Sequence, residues 1–240
     1  MSSPTREDRP TPVVHVVAGV LLDERGRVLL AQRPQAKHLA GGWEFPGGKM
    51  EPGETRLQGL GRELAEEIGV ELQEAHPLIR VRHAYPGRDI DLDVWMVTRY
   101  TGEPRGLEGQ PLTWCARPDL PRANLIPADR PVMTALMLPE IIAARDGPQY
   151  VVAGALSEKA PTPGLAPPAA GRLRGGFCDG AADAAAVVAA GADFLLLRQA
   201  CDLPSIAALT AGLNVPVYVR EVALSEAWEH GATGLHILAF

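Results

Sequence analysis

Aromatic residues make up only 5% of this 240-residue chain, and cysteine occurs three times, at Cys115, Cys178 and Cys201. None of the three is paired at metal-ligand spacing, which excludes a cysteine zinc site and a disulfide framework and points to a reducing, cytoplasmic setting. No apolar run reaches the roughly 18 residues that a membrane-spanning helix needs. Residues 1–12 are polar and contain proline, so they lack the apolar stretch of a signal peptide. The charge balance is modest, a formal net charge of −6. Such a chain has no general attraction for nucleic acid or for an anionic membrane, and neither is expected as a partner. Also missing are the GxGxxG dinucleotide turn, the GxxxxGK[ST] phosphate loop and the helical HExxH zinc motif.

What is present is the composition of an ordinary soluble protein, 46% apolar and 22% charged, long enough for one large domain or two small ones. Val13 to Leu22 reads as a β-branched strand, residues 23–26 as a turn and Val28 to Gln32 as the returning strand. Residues 34–54 are rich in glycine and proline and read as an ordered loop. Thr55 to Ile68 follows as a helix with Gly69 as its C-terminal cap. Leu57, Leu60, Leu64 and Ile68 recur at helical spacing and are expected to face the core. Leu78 to Arg82 and Leu92 to Tyr100 read as strands. Asp89, Asp91 and Asp93 alternate with apolar residues and give the second of these one polar side. A helix from Arg130 to Leu138 closes the first unit.

The chemistry concentrates between Gly48 and Val70. Glu63, Glu66 and Glu67 stand at i, i+3 and i+4, so a helix places three carboxylates on one face. Their mutual repulsion is costly unless a cation sits among them, and an all-oxygen set suits Mg²⁺ or Mn²⁺, which can bridge to phosphates. A solvated acidic helix face is the plain alternative for Glu66 and Glu67 taken alone. Just upstream, Trp43-Glu44-Phe45-Pro46-Gly47-Gly48-Lys49 joins a rigid proline to two glycines, a turn able to present carbonyls to a metal or amides to phosphate.

Gly48, Glu54, the Arg62-Glu63-x-x-Glu66-Glu67-x-Gly69 run and their spacing resemble the Nudix box at every defining position. The likeness to the Nudix hydrolase family, and to its MutT-type branch, extends over roughly residues 13–138. It includes Arg33-(x)4-His38, Gly102-Glu103-Pro104 and Glu108-Gly109-Gln110. The resemblance implies an α/β/α sandwich with a mixed sheet and a Mg²⁺-dependent diphosphatase. That enzyme would convert 8-oxo-dGTP to 8-oxo-dGMP and pyrophosphate by water attack at the β-phosphorus, and so cleanse the nucleotide pool. It further implies metal binding by Glu63, Glu66, Glu67 and Glu108, assisted by Gly47 or Gly48, with one of these carboxylates as general base. Glu54 and Arg62 would organise the helix and loop, while Arg33 and Lys49 would contact phosphate. His38, Phe45, Tyr85 and Asp129 fall in the region of the nucleoside pocket, and His38 reads equally well as an ordinary loop residue. Asp129 departs from the asparagine usual there. An ionised carboxylate only accepts, so contact with guanine O6 needs another donor or a protonated carboxyl. Asp129 reads equally well as the N-cap of the following helix. Two other activities stay open: a broader pyrophosphohydrolase of nucleoside triphosphates or ADP-ribose, and a nucleotide sensor with weak turnover.

Beyond residue 139 the pattern changes. Residues 139–149 read as a linker, and residues 161–176 are rich in Pro, Gly and Ala. Residues 150–240 alternate strand-like segments (150–153, 194–197, 215–219, 235–238) with helical ones (181–190, 205–211, 225–230). This predicts parallel β/α units, half a TIM-type barrel or a small open sheet. Phe177-Cys178-Asp179, Gly191-Ala192-Asp193-Phe194, Val215-Pro216-Val217-Tyr218 and His230-Gly231-Ala232-Thr233-Gly234 resemble the later half of thiamine-phosphate synthase. The Gly-Gly phosphate turn that should follow the proline strand is replaced by Arg220-Glu221. A degenerate domain that is structural or contacts a protein partner is therefore expected.

Overall fold

The computed structural model describes residues 12–35, 38–143, 150–153 and 172–239. The expected flexible N-terminus, apart from Pro12, and most of the Pro/Gly/Ala-rich run lie outside these residues. In the first half, strands β1 (Val13–Leu21), β2 (Val28–Gln32), β3 (Trp43–Glu44) and β4 (Gly47–Lys49) precede helix α1 (Arg56–Ile68). They are followed by β5 (Glu71–Tyr85), β6 (Arg88–Thr101), β7 (Leu112–Cys115) and helix α2 (Arg130–Met137). A four-stranded mixed sheet runs in the order β4-β1-β6-β5, with β1 parallel to β6 and the other pairs antiparallel. A smaller antiparallel sheet has the order β3-β2-β7.

The period-2 alternation of β1 sends its side chains to two cores. Val17 and Leu21 join Leu60, Leu64 and Ile68 of α1. Ala18 and Val20 join Val132, Ala135 and Leu136 of α2, together with Leu30 of the smaller sheet. The mixed sheet thus lies between two helices, as the resemblance implies. Each fully buried leucine of α1 contributes about 2 kcal/mol of apolar burial. Thr55 and Gln58 form a reciprocal capping box at the start of α1, and Gly69 ends it in the left-handed region at φ 69°. Leu57 does not reach the core: it lies in the first turn and is 44% exposed, and the apolar stripe meets the sheet only from Leu60 onward.

Two features of this half differ from the sequence reading. The loop of residues 34–54 contains the short strands β3 and β4. Strand β5 runs for 15 residues instead of five, because irregularities around Glu74 and between Pro77 and Ile79 absorb a proline and a polar stretch within one ladder. The polar side expected for β6 is present and lies buried at Asp91 and Asp93. Asp91 is held bidentately by Arg80 and Asp93 by Arg56, so the polar side of β6 is an ion-paired layer.

The second half is a six-stranded, all-parallel sheet in the order β8-β13-β12-β11-β10-β9. Its strands are β8 (Ile141–Ala143), β9 (Tyr150–Ala153), β10 (Leu173–Cys178), β11 (Phe194–Leu197), β12 (Val217–Val219) and β13 (Leu235–Ala239). Helices α3 (Ala181–Ala189), α4 (Leu203–Ala211) and α5 (Leu224–Glu229) connect the last four strands. All three contribute to one apolar cluster with Cys178, Leu195, Leu197, Val217 and Val219, so the helices cover one face. The other face carries Phe177, Phe194, Leu196 and Tyr218. There Tyr150 of one edge strand meets Phe194, and the Tyr218 hydroxyl donates to Pro139 O at 2.5 Å beside the other edge. Ile141–Ala143, expected in the linker, is an edge strand of this sheet, and β10 is a strand that the sequence reading missed.

Candidate active site

A cleft of about 490 Å³ lies in the first half, between β4, α1, the β5–β6 hairpin and the segment before α2. Its lining gathers Arg33, His38, Phe45, Gly47, Gly48, Lys49, Glu63, Glu67, Tyr85, Glu108 and Asp129, residues spread over 97 positions of sequence. Of the expected site residues only Glu66, 60% exposed, lies outside the lining, together with the organisers Glu54, Arg62 and Gly69.

The acidic end is built by α1 packing on the glycine turn. Gly47 N–H donates to Glu67 Oε2 at 2.9 Å, and a Cβ at Gly47 would come within 2.1 Å of Val17 O. A Cβ at Gly48 would lie 2.2 Å from Glu63 Oε2, so the Glu63 carboxylate occupies the space that a side chain would take. Arg62 holds this end together. It donates to Glu54 through Nε at 2.7 Å and Nη2 at 3.0 Å, to Glu63 at 2.9 Å, to Glu66 at 3.1 Å and to Lys49 O at 2.9 Å. The Arg62 hydrogen bonds hold Glu54 well below the usual carboxylate range, at about 2, and the carboxylates raise Arg62 in turn. Gln110 supports the far side, its amide donating to Glu67 O at 2.8 Å while its carbonyl accepts Glu108 N–H at 2.9 Å.

Glu63, Glu67 and Glu108 offer the hard oxygen donors that a divalent cation of the Mg²⁺ type takes. Among the described residues, however, no three His, Cys, Asp or Glu side chains are drawn together into a ready-made cluster. The reason is visible in the partners. Arg62 engages Glu63 and Glu66, and the Gly47 amide engages Glu67, so a cation would compete with these contacts.

The other end of the cleft is apolar and aromatic. Phe45 and Asp129 are buried, and Asp129 Oδ2 accepts Phe45 N–H at 3.1 Å. Asp129 makes no side-chain bond to the start of α2, so it does not serve as the cap that its position allowed. Burial foremost, and the nearby Glu44 charge, push its carboxyl up to about 8. At neutral pH Asp129 is therefore mostly protonated and presents one donor beside its acceptors. The Tyr85 hydroxyl accepts Ala128 N–H at 3.4 Å, and its ring meets those of His38 and His83 with centroids 5.6 and 4.4 Å apart. Arg33, expected at phosphate, is ion-paired with Glu44 and donates to His38 O at 2.8 Å, which ties the two residues together at the backbone of His38.

Two charged lining residues escaped the sequence reading. Glu44 borders the cleft between Trp43 and Phe45 and influences both Arg33 and Asp129. Arg88 lies just past the β5–β6 turn with its guanidinium 5.9 Å from the Tyr85 ring centre. As lone charges they carry no sequence signal; only the hairpin and the ladder bring them to the cleft.

Comparison with known proteins places this geometry. The NUDIX domain family model matches residues 17–135. An 8-oxo-dGTP diphosphatase of Escherichia coli K12 is 37% identical over 123 residues, 51% of this chain and 95% of that protein. A CTP pyrophosphohydrolase of the same organism is 39% identical over 125 residues, 52% of this chain and 92% of its own length. In fold, a crystal structure of a MutT protein from Methanosarcina mazei Go1 superposes with a TM-score of 0.50 at 22% identity, covering 54% of this chain and 96% of that one. These matches cover about half of the chain and lend no support to the expected likeness of the rest to thiamine-phosphate synthase. The cleft, the helix that supplies its carboxylates and the two relatives agree: the chain belongs to the Nudix hydrolase family.

Proposed function

We propose that this chain hydrolyses nucleoside triphosphates to the monophosphate and pyrophosphate, with 8-oxo-dGTP as a principal substrate and Mg²⁺ as the cofactor. The observation that carries the reading is that a single cleft joins Glu63, Glu67 and Glu108 at one end to the buried, protonatable Asp129 at the other. A triphosphate would lie toward the carboxylates and the base toward Phe45, Tyr85 and Asp129. Bound Mg²⁺ would neutralise phosphoryl oxygens and acidify a water molecule. Arg62 holds the carboxylates on one side of the scissile linkage, Lys49 adds a positive charge at the mouth, and one of Glu63, Glu67 and Glu108 takes the proton of the attacking water. The aromatic end excludes water from the base.

A protonated Asp129 would give guanine O6 a donor and N1–H an acceptor. It would equally give cytosine N3 a donor and the amino group an acceptor, because either carboxyl oxygen can carry the proton. That symmetry supports a second reading, a broader pyrophosphohydrolase that also accepts cytosine nucleotides, and one of the two relatives described above is named for that activity. The test incubates the purified chain with 8-oxo-dGTP, dGTP, CTP, dATP and ADP-ribose, with and without Mg²⁺, and quantifies monophosphate and pyrophosphate. Preferential turnover of 8-oxo-dGTP supports the first reading. Equal rates on 8-oxo-dGTP and dGTP would remove it, comparable rates on CTP would favour the second, and no turnover would point to a sensor.

A further inference from the structure

Strand β5 ends the mixed sheet, and an edge strand presents unpaired N–H and C=O groups. Here the second half of the chain covers them. Gly234 N–H donates to Leu78 O at 2.7 Å. Asn214, in the turn before β12, accepts Arg82 N–H on Oδ1 at 2.9 Å and donates through Nδ2 to Arg82 O at 2.8 Å. Its carboxamide thereby offers Arg82 the donor and acceptor that a neighbouring strand would offer. Farther back along β5, Trp228 stacks on His76 with ring centres 4.6 Å apart.

Arg82 lies three residues before Tyr85. Between them His83 packs on the Tyr85 ring, and the Tyr85 hydroxyl accepts the Ala128 amide next to Asp129. We infer that Asn214 is a positioning residue for the base end of the cleft, acting through the Arg82 backbone on Tyr85; this rests on the reading of the cleft as a nucleotide site. The other edge of β5 remains tied to β6 from Glu71 to Tyr85. Loss of Asn214 therefore lets the end of the strand shift without unfolding it. The carboxylates stand on α1 and in the segment before β7, and Asn214 touches neither.

The experiment compares Asn214→Ala, Asn214→Asp and Trp228→Ala with the unsubstituted full-length chain. Four quantities are read: nucleoside-monophosphate affinity by calorimetry, pyrophosphate inhibition, KM against kcat, and hydrogen exchange at the Arg82 amide. Asn214→Ala removes both hydrogen bonds to Arg82 and is expected to weaken monophosphate binding and raise KM about fivefold, less than the full worth of the two bonds because neither touches the ligand. Its kcat and pyrophosphate inhibition should stay near the original values while Arg82 exchanges faster. Asn214→Asp, which sets a carboxylate against Arg82 O, should be at least as severe. Trp228→Ala should lower the melting temperature and leave KM alone. Unchanged monophosphate affinity in Asn214→Ala despite faster exchange would overturn the positioning role, as would an equal KM change in Trp228→Ala. Absence of any nucleotide binding in the unsubstituted chain would instead overturn the reading of the cleft.

Discussion

Asp129 Oδ2 accepts the backbone N–H of Phe45 at 3.1 Å across 84 residues of sequence, and this bond fixes a carboxyl group at the apolar end of the cleft. With its pKa raised from 3.8 to about 8, mainly by burial, the group is neutral in the folded chain over a range where the unfolded chain ionises it. The folded state then binds more protons, so the associated stability is fully present below pH 3.8 and is lost as pH rises through about 8. Affinity for 8-oxo-dGTP is expected to fall over the upper part of the same range, as the donor to O6 disappears. Asp129→Asn keeps a donor and an acceptor without titrating, so its KM should be flat from pH 6.5 to 9. A KM profile that still rises with pH in this variant would remove Asp129 as the titrating group.

Gly48 supports a steric prediction. A methyl group there would overlap the Glu63 carboxylate, and the turn cannot retreat because Gly47 already packs against the β1 backbone. Gly48→Ala is expected to displace Glu63 and raise the Mg²⁺ concentration for half-maximal rate by about tenfold, the scale seen when a ligand's support is disturbed. Rate against Mg²⁺ concentration reads it directly. An unchanged curve would mean that Glu63 does not meet the cation.

Much of this is legible in the amino-acid sequence, and the rest is hidden for identifiable physical reasons. Helix α1 announces itself because Gly69 is a cap residue and Leu60, Leu64 and Ile68 keep one period; the capping box of Thr55 and Gln58 is added by the structure. Strand β5 does not, since Pro77 and the polar run Glu71 to His76 carry no alternation and the irregularities shift its register. Strand β10 is hidden by Gly175 and Gly176, which are there for space: a Cβ on Gly175 would lie 2.5 Å from the Phe194 ring. In the cleft Glu63 and Glu67 are local in sequence and readable from their spacing, whereas Glu108 enters only through the family resemblance. The base end draws on five separate segments, and its side chains acquire meaning only from a fold that places Asp129 beside Phe45.

Arg62 makes Glu54 a sensor of acid. The Glu54 carboxyl is depressed from 4.5 to about 2, so the stability it contributes is present above pH 4.5 and is lost as pH falls toward 2. Lysine cannot reproduce the fork that reaches Glu54, Glu63, Glu66 and Lys49 O together. Arg62→Lys should therefore bring the acid limb of the melting-temperature profile up toward pH 4.5 and lower kcat, because Glu63 loses its anchor. Thermal unfolding between pH 2.5 and 7 checks the first outcome. An unchanged acid limb would show that the Arg62–Glu54 contact adds nothing in solution.

Glu67 separates chemistry from folding. Its Oε2 accepts Gly47 N–H, a role that a glutamine carbonyl oxygen can fill, so Glu67→Gln keeps the turn in place and removes the charge. Its backbone oxygen continues to accept from Gln110 and Leu107 whatever the side chain. The expected outcome is a melting temperature within a few degrees of the original and a kcat about a hundredfold lower, the scale of a lost general base or metal contact. Added Mg²⁺ should raise the melting temperature of the original chain more than that of the variant, because an ion that binds only the folded state stabilises it in proportion to its affinity. Full activity in Glu67→Gln would exclude Glu67 from the reaction and leave Glu63 and Glu108 as the carboxylates to substitute next.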